Sequence, residues 1–116
     1  MILEIWVPGR PVPKGRPRMT RNGHVYTPAK THAYEAVVAS AGADAMDGLP
    51  PLTGPVLLAA LFYGTRATGD VDNYLKSLLD GLQGVVFQND RQVRMLAAWR
   101  MDGTPYGVRV VVHGEA

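Results

Sequence analysis

Hydrophobic and polar positions along this chain change period several times, and each change marks an element. Ile2 to Val7 is apolar apart from Glu4 and reads as a first strand. Pro8 to Arg21 breaks all periodicity. Its four prolines lack amide donors and fix φ, so the segment can be neither helix nor central strand. His24–Tyr26 is short and β-leaning after the Asn22-Gly23 turn signal. Thr27-Pro28 fits a helix cap with proline at the first helical position. The helix it opens runs to about Met46, with Tyr34, Val37, Val38 and Ala41 at core spacing. A loop over 47–54 precedes the apolar run Val56–Tyr63, which reads as a buried strand. After a second loop at 64–69, Val71 to Leu82 reads as another helix, with Val71, Leu75, Leu78, Leu79 and Leu82 on one stripe. Val85–Phe87 leads into a turn at Gln88–Arg91. Gln92–Met101 and Gly107–His113 follow as two strands, expected to pair as a hairpin through Asp102-Gly103. The order β-(β)-α-β-α-β-β implies an α+β fold, a single domain over residues 1–116 with a mixed β-sheet and two helices packed on one face.

A chain of 116 residues can build one modest core and not two. With no cysteine, disulfide frameworks, thiol nucleophiles and thiolate metal sites are all excluded. The opening Met-Ile-Leu-Glu lacks a basic region followed by a long apolar run, and no stretch is long enough to span a bilayer. The expectation is a cytoplasmic protein with no membrane partner. Net charge is only +2, but its distribution is uneven. Residues 1–30 carry six of the twelve basic side chains (Arg10, Lys14, Arg16, Arg18, Arg21, Lys30) against the single acid Glu4. Residues 70–102 carry five of the ten acids: Asp70, Asp72, Asp80, Asp90 and Asp102. A basic segment attracts phosphates, and a carboxylate cluster can hold the cation that works on one of them. Plain unevenness of surface charge is the alternative.

The densest chemistry lies in Gly69-Asp-Val-Asp-Asn-Tyr-Leu-Lys. Asp70 and Asp72 stand two apart at a loop-to-helix junction. On extended backbone both carboxylates project to one side and can share an ion. The helix N-terminus favours negative charge there. Oxygen donors without nearby His or Cys suit a hard ion, Mg²⁺ or Mn²⁺ in its place. Asp72, Lys76 and Asp80 share a face separate from the leucine stripe. Asp80, two turns from Asp72 and roughly 12 Å along the axis, is too far to bind the same ion and is expected in a supporting or interface role. Asp90, in the turn before a strand, is the best remaining third ligand. The alternatives are helix capping for Asp70-x-Asp72-Asn73 and a surface ion pair for Asp72 and Lys76. An EF-hand loop starting at Asp70 would need Gly at 75 and Glu at 81, where Leu75 and Gly81 stand. His24, His32 and His113 form no convincing triad with Ser and Asp.

Taken together, these segments resemble the RusA family of Holliday junction resolvases over nearly the whole chain. The blocks that carry the likeness are Pro11-Val-Pro-Lys-Gly-Arg-Pro-Arg18 with Tyr26-Thr-Pro28 and Tyr34-Glu35, then Asp70-x-Asp72-Asn73-x-x-Lys76-x-x-x-Asp80-x-Leu82, then Gly84 to Val93. The resemblance implies a homodimer that cuts four-way DNA junctions by paired incision with a divalent metal and no small-molecule cofactor. It matches Asp70, Asp72 and Asp90 to essential carboxylates and Lys76 to an essential lysine. Phosphate contacts are expected from Lys14, Arg16, Arg18, Arg21, Arg66 and Lys76. Supporting roles beside the ligands are expected from Asn73, Asp80 and Asn89. Two departures stand out: Asn89 replaces the first of a usual Asp-Asp pair, and Thr68-Gly69 stands where an arginine often precedes the first aspartate. The main alternative is a branched-DNA-binding protein that has lost catalysis; a third is a structural cation-binding domain.

Overall fold

Alternate residues of three strands are buried: Leu3, Ile5 and Val7; Val56, Leu58, Ala60 and Phe62; Val108, Val110 and Val112. Such period-two burial means a sheet with one covered face. The computed structural model describes residues 1–115. It contains β1 (Ile2–Pro8), β2 (Arg18–Met19), β3 (Val25–Tyr26), α1 (Ala29–Met46), β4 (Val56–Tyr63), α2 (Val71–Leu82), a 3-10 turn (Asp90–Gln92), β5 (Val93–Met101) and β6 (Gly107–His113). The main sheet has the order β1-β6-β4-β5, with β6 antiparallel to both β1 and β4 and β5 parallel to β4. Strands β2 and β3 form a separate two-stranded hairpin at the end of the irregular arm Pro8–Arg21. The fold is α+β, a mixed sheet with both helices on one face.

The expected hairpin between the last two strands does not form, because β4 lies between β5 and β6. The Asp102–Tyr106 loop crosses the end of β4 instead. There Gly64 N–H donates to Met101 O at 2.9 Å, and the Tyr106 ring lies so close to Gly64 that no Cβ would fit. The apolar sequence of β6 suits a strand flanked on both sides, and an α2 crossover makes β4 and β5 parallel neighbours.

The helices meet through two glycines. A Cβ at Gly81 would come within 2.6 Å of Val38 Cβ, and one at Gly42 within 3.0 Å of Val86 Cγ2. The buried row of α1 therefore runs through Tyr34, Val38, Gly42 and Met46, and Val37, expected in the core, is exposed. In α2 the buried face is Tyr74, Ser77, Leu78, Gly81 and Leu82. Relative to the expected stripe it is rotated, leaving Val71 exposed and Leu75 and Leu79 half-buried. Rotation is possible because both buried hydroxyls are satisfied: Tyr74 OH accepts from Arg66 N–H at 3.1 Å, and Ser77 Oγ donates to Val12 O at 2.6 Å.

Candidate functional site

Asp70 is the N-cap residue of α2, with extended backbone (φ −92°, ψ 137°), and Asp72 lies in the first helical turn. Both are exposed. Among the described residues neither carboxylate caps the helix or joins an ion pair. Helix capping by Asp70 and an Asp72–Lys76 pair are therefore absent here, and Lys76, one turn on, is also exposed and unpaired. Two hard oxygen donors and an ammonium stand uncommitted at the positive end of a helix.

The loop that delivers them is held from three sides. Gly69 lies on the Tyr74 ring, where a Cβ would come within 2.6 Å of Cε2. The Arg100 guanidinium, reaching over from β5, donates to Arg66 O at 2.9 Å, Ala67 O at 3.2 Å and Thr65 Oγ1 at 3.3 Å. Thr65 Oγ1 in turn donates to Asp102 Oδ1 at 3.0 Å. Sequence reasoning missed Tyr74 and Arg100. An arginine in a strand carries no local sign of the loop it will clamp, whereas the tyrosine could have been suspected from the glycine five residues before it.

Asp90 is elsewhere. Its backbone N–H donates to the side chain of Gln83, the residue that ends α2, at 3.0 Å. The 12 residues of α2 span about 18 Å, so Asp90 sits at the far end of that helix from Asp70 and Asp72. Topology requires this. The chain leaves β4 at its C-terminal end, and α2 returns it to the opposite end of the strands, where the parallel β5 must begin. Among the described residues no three His, Cys, Asp or Glu side chains gather closely enough to hold a metal ion. The expectation that Asp90 joins Asp70 and Asp72 within the chain is not met. Asn89 has a structural use: it caps the 3-10 turn in a reciprocal box with Gln92, and its Oδ1 accepts from Arg91 N–H at 2.9 Å.

The Pro8–Arg21 arm lies along α2, tied by Lys14 N–H to Asn73 O at 2.9 Å and by Ser77 to Val12 O. Lys14 Nζ bridges Glu35 of α1 at 2.9 Å and Asp80 of α2 at 2.8 Å. Partial burial works against its charge, but the two carboxylates outweigh it and hold the ammonium above its ordinary value. Lys14, expected to meet phosphate, is thus occupied in joining both helices to the arm, and Asp80 is its partner. Asn73 contributes its carbonyl. Arg16, Arg18, Arg21 and Arg66 are exposed, and among the described residues none forms an ion pair.

No helix among the described residues is long and apolar enough to cross a membrane. No curated protein matches the chain. A family model described as endodeoxyribonuclease RusA matches residues 8–113 of the 116, a span that takes in the arm, both helices and every strand except most of β1. With the carboxylates, the lysine and the free arginines all inside that span, the chain belongs to the RusA family of endodeoxyribonucleases.

Proposed function

We propose that this protein resolves four-way (Holliday) DNA junctions by paired phosphodiester hydrolysis, as a homodimer and with Mg²⁺, for which Mn²⁺ can substitute. The observation that carries the reading is the uncommitted pair Asp70 and Asp72 at the start of α2, in a chain of an endodeoxyribonuclease family. The donor set fits the ion: Mg²⁺ is commonly held by one or two carboxylates, with waters and substrate phosphate completing its shell. When bound, the ion lowers the pKa of a water and neutralises charge on the scissile phosphate. Lys76 offers a compact positive charge to that phosphate in the transition state. Arg16, Arg18, Arg21 and Arg66 hold backbone phosphates and set the register of the DNA.

A second copy answers two observations at once. Asp90 lies too far away to act with Asp70 and Asp72 of its own chain, so the partner subunit's Asp90 completes the site. The uncovered face of the sheet also carries exposed apolar side chains: Leu57, Leu61, Met95, Trp99 and Met101 lie together on β4 and β5, Trp99 exposed by 63%, and Trp6 of β1 lies beyond Arg109 of β6. Contiguous patches of this kind mark association surfaces. A second reading, junction binding without cleavage, is favoured by the lack of a three-carboxylate group among the described residues of one chain.

Incubation with a mobile four-way junction, with Mg²⁺ and with chelator, decides between them. Symmetric paired cuts that chelation abolishes are expected; tight binding without cuts in Mg²⁺ or Mn²⁺ establishes the second reading. Mixing Asp72→Asn and Asp90→Asn proteins then tests the shared site. Each variant alone is inactive, and if Asp90 acts across the dimer, mixed dimers regain one intact site and nick one strand. No recovery on mixing would place the aspartates in separate roles.

A further inference from the structure

Between the arm and the start of α1 there is an open cavity of about 540 Å³, lined also by Arg66 and the buried Tyr74. Its charged lining is entirely cationic: Arg10, Arg16, Arg18, Lys30 and Arg66. Its walls are apolar, formed by Pro11, Val12, Pro13 and Pro28, with Tyr74 at the bottom. No side chain caps α1, so the first amides of an 18-residue helix add their partial positive charge at the same place. Arg10 is held in position by donating to Gly64 O at 3.0 Å, with its guanidinium over the Tyr106 ring.

We propose that this cavity takes one unstacked nucleotide of the DNA strand, its base against the proline walls and its phosphate on the arginine and lysine rim. The proposal rests on the DNA reading above and names a contact that reading does not contain. The volume is that of a small-molecule site, larger than a phosphate contact on a convex surface needs. An intact duplex cannot enter a concave pocket of this size, whereas a base already out of its stack can, and unstacking is least costly where pairing is already interrupted. Proline rings and guanidinium planes are suitable faces for a base. The lining holds no Asn, Gln, Asp or Glu to read base edges. Its two neutral polar side chains are already engaged: Thr31 Oγ1 accepts from Gly15 N–H at 3.0 Å and Tyr74 OH from Arg66 N–H at 3.1 Å. The pocket therefore selects branched or single-stranded DNA over duplex with little preference for base identity.

The test is amide chemical-shift mapping on the wild-type protein with 5′-phosphorylated dithymidine, and separately with inorganic phosphate at matched ionic strength, both without divalent metal. Saturable shifts centred on Gly15, Lys30, Thr31 and Tyr74 are expected with the dinucleotide and not with phosphate. Lys30→Glu, at an exposed position, should weaken dinucleotide binding at least tenfold. Shifts scattered over the basic surface, equal shifts with phosphate alone, or unchanged affinity in Lys30→Glu would each overturn the proposal. Junction cleavage by the same wild-type sample is measured in parallel. Cutting without pocket shifts removes the pocket alone, and pocket shifts without cutting remove the nuclease reading alone.

Discussion

Lys76 stands at the spacing from Asp72 that usually makes an ion pair, yet it makes none among the described residues. If it only supported the helix, Lys76→Ala would cost a few tenths of a kcal/mol of stability and leave turnover intact. As a charge for the phosphate in the transition state, its loss should slow single-turnover cleavage on the order of a hundredfold, roughly 3 kcal/mol. Lys76→Arg should rescue poorly, since a planar fork replaces a compact ammonium. Tyr34 presents the opposite situation. Its hydroxyl is buried with no partner among the described residues, and burial, with a smaller contribution from Tyr74, pushes the phenol well above its ordinary value. Tyr34→Phe should leave stability unchanged or raise it by about 1 kcal/mol, because an unsatisfied buried group is removed. A lower urea midpoint in that variant would show that the hydroxyl has a partner in solution.

The arm is an element without regular hydrogen bonding for most of its length, and it holds its place through α1 and α2. Lys14→Met removes the shared cation and leaves Glu35 and Asp80 facing each other, which should cost about 1–2 kcal/mol. The sign with pH follows from the raised value. A cation held above its unfolded value contributes fully below about 10.5, and its contribution is lost as pH rises through the higher folded value. The stability difference between wild type and Lys14→Met should therefore stay flat from neutral pH to about pH 10 and shrink beyond it. A difference that persisted unchanged at strongly alkaline pH, beyond the raised value, would show that the bridge is not the source. The same element separates structural from phosphate-binding cations. Arg16→Ala with Arg18→Ala should flatten the log–log salt dependence of junction binding by up to about two, and Lys14→Met should leave that slope nearly unchanged.

For the whole molecule, the decisive feature is the face of the sheet that the helices do not cover. Trp99 lies on the edge strand β5, in register with Leu61 of β4, and is mostly exposed. Trp99→Glu should change protomer stability by less than about 0.5 kcal/mol, as surface substitutions generally do. It should nevertheless shift sedimentation from dimer to monomer and abolish paired incision. A variant that remained dimeric would place the interface elsewhere, with the cationic arm or the β1 edge the next surfaces to test.

Most element boundaries were legible in the chain because periods of two and 3.6, proline and turn residues act over a few positions. For the same reason Asp70 and Asp72 could be placed at the start of α2, since helix entry is a local event. Long-range decisions left no such trace. Asp102-Gly103 is a sound turn signal, but hydrogen-bond partners are chosen by burial over the whole sheet, so β6 went between β1 and β4 and the hairpin was lost. Lys14 reads as a free cation until α1 and α2 bring Glu35 and Asp80 to it. Val37 reads as core until Gly42 and Gly81 set the line along which the helices touch. Asp90 sits beside a strand start, which in a parallel β4–α2–β5 unit lies at the opposite end from the helix start. The residue types for the chemistry were therefore visible in sequence, while their separation depends on strand order, which is settled only when the sheet closes over its core.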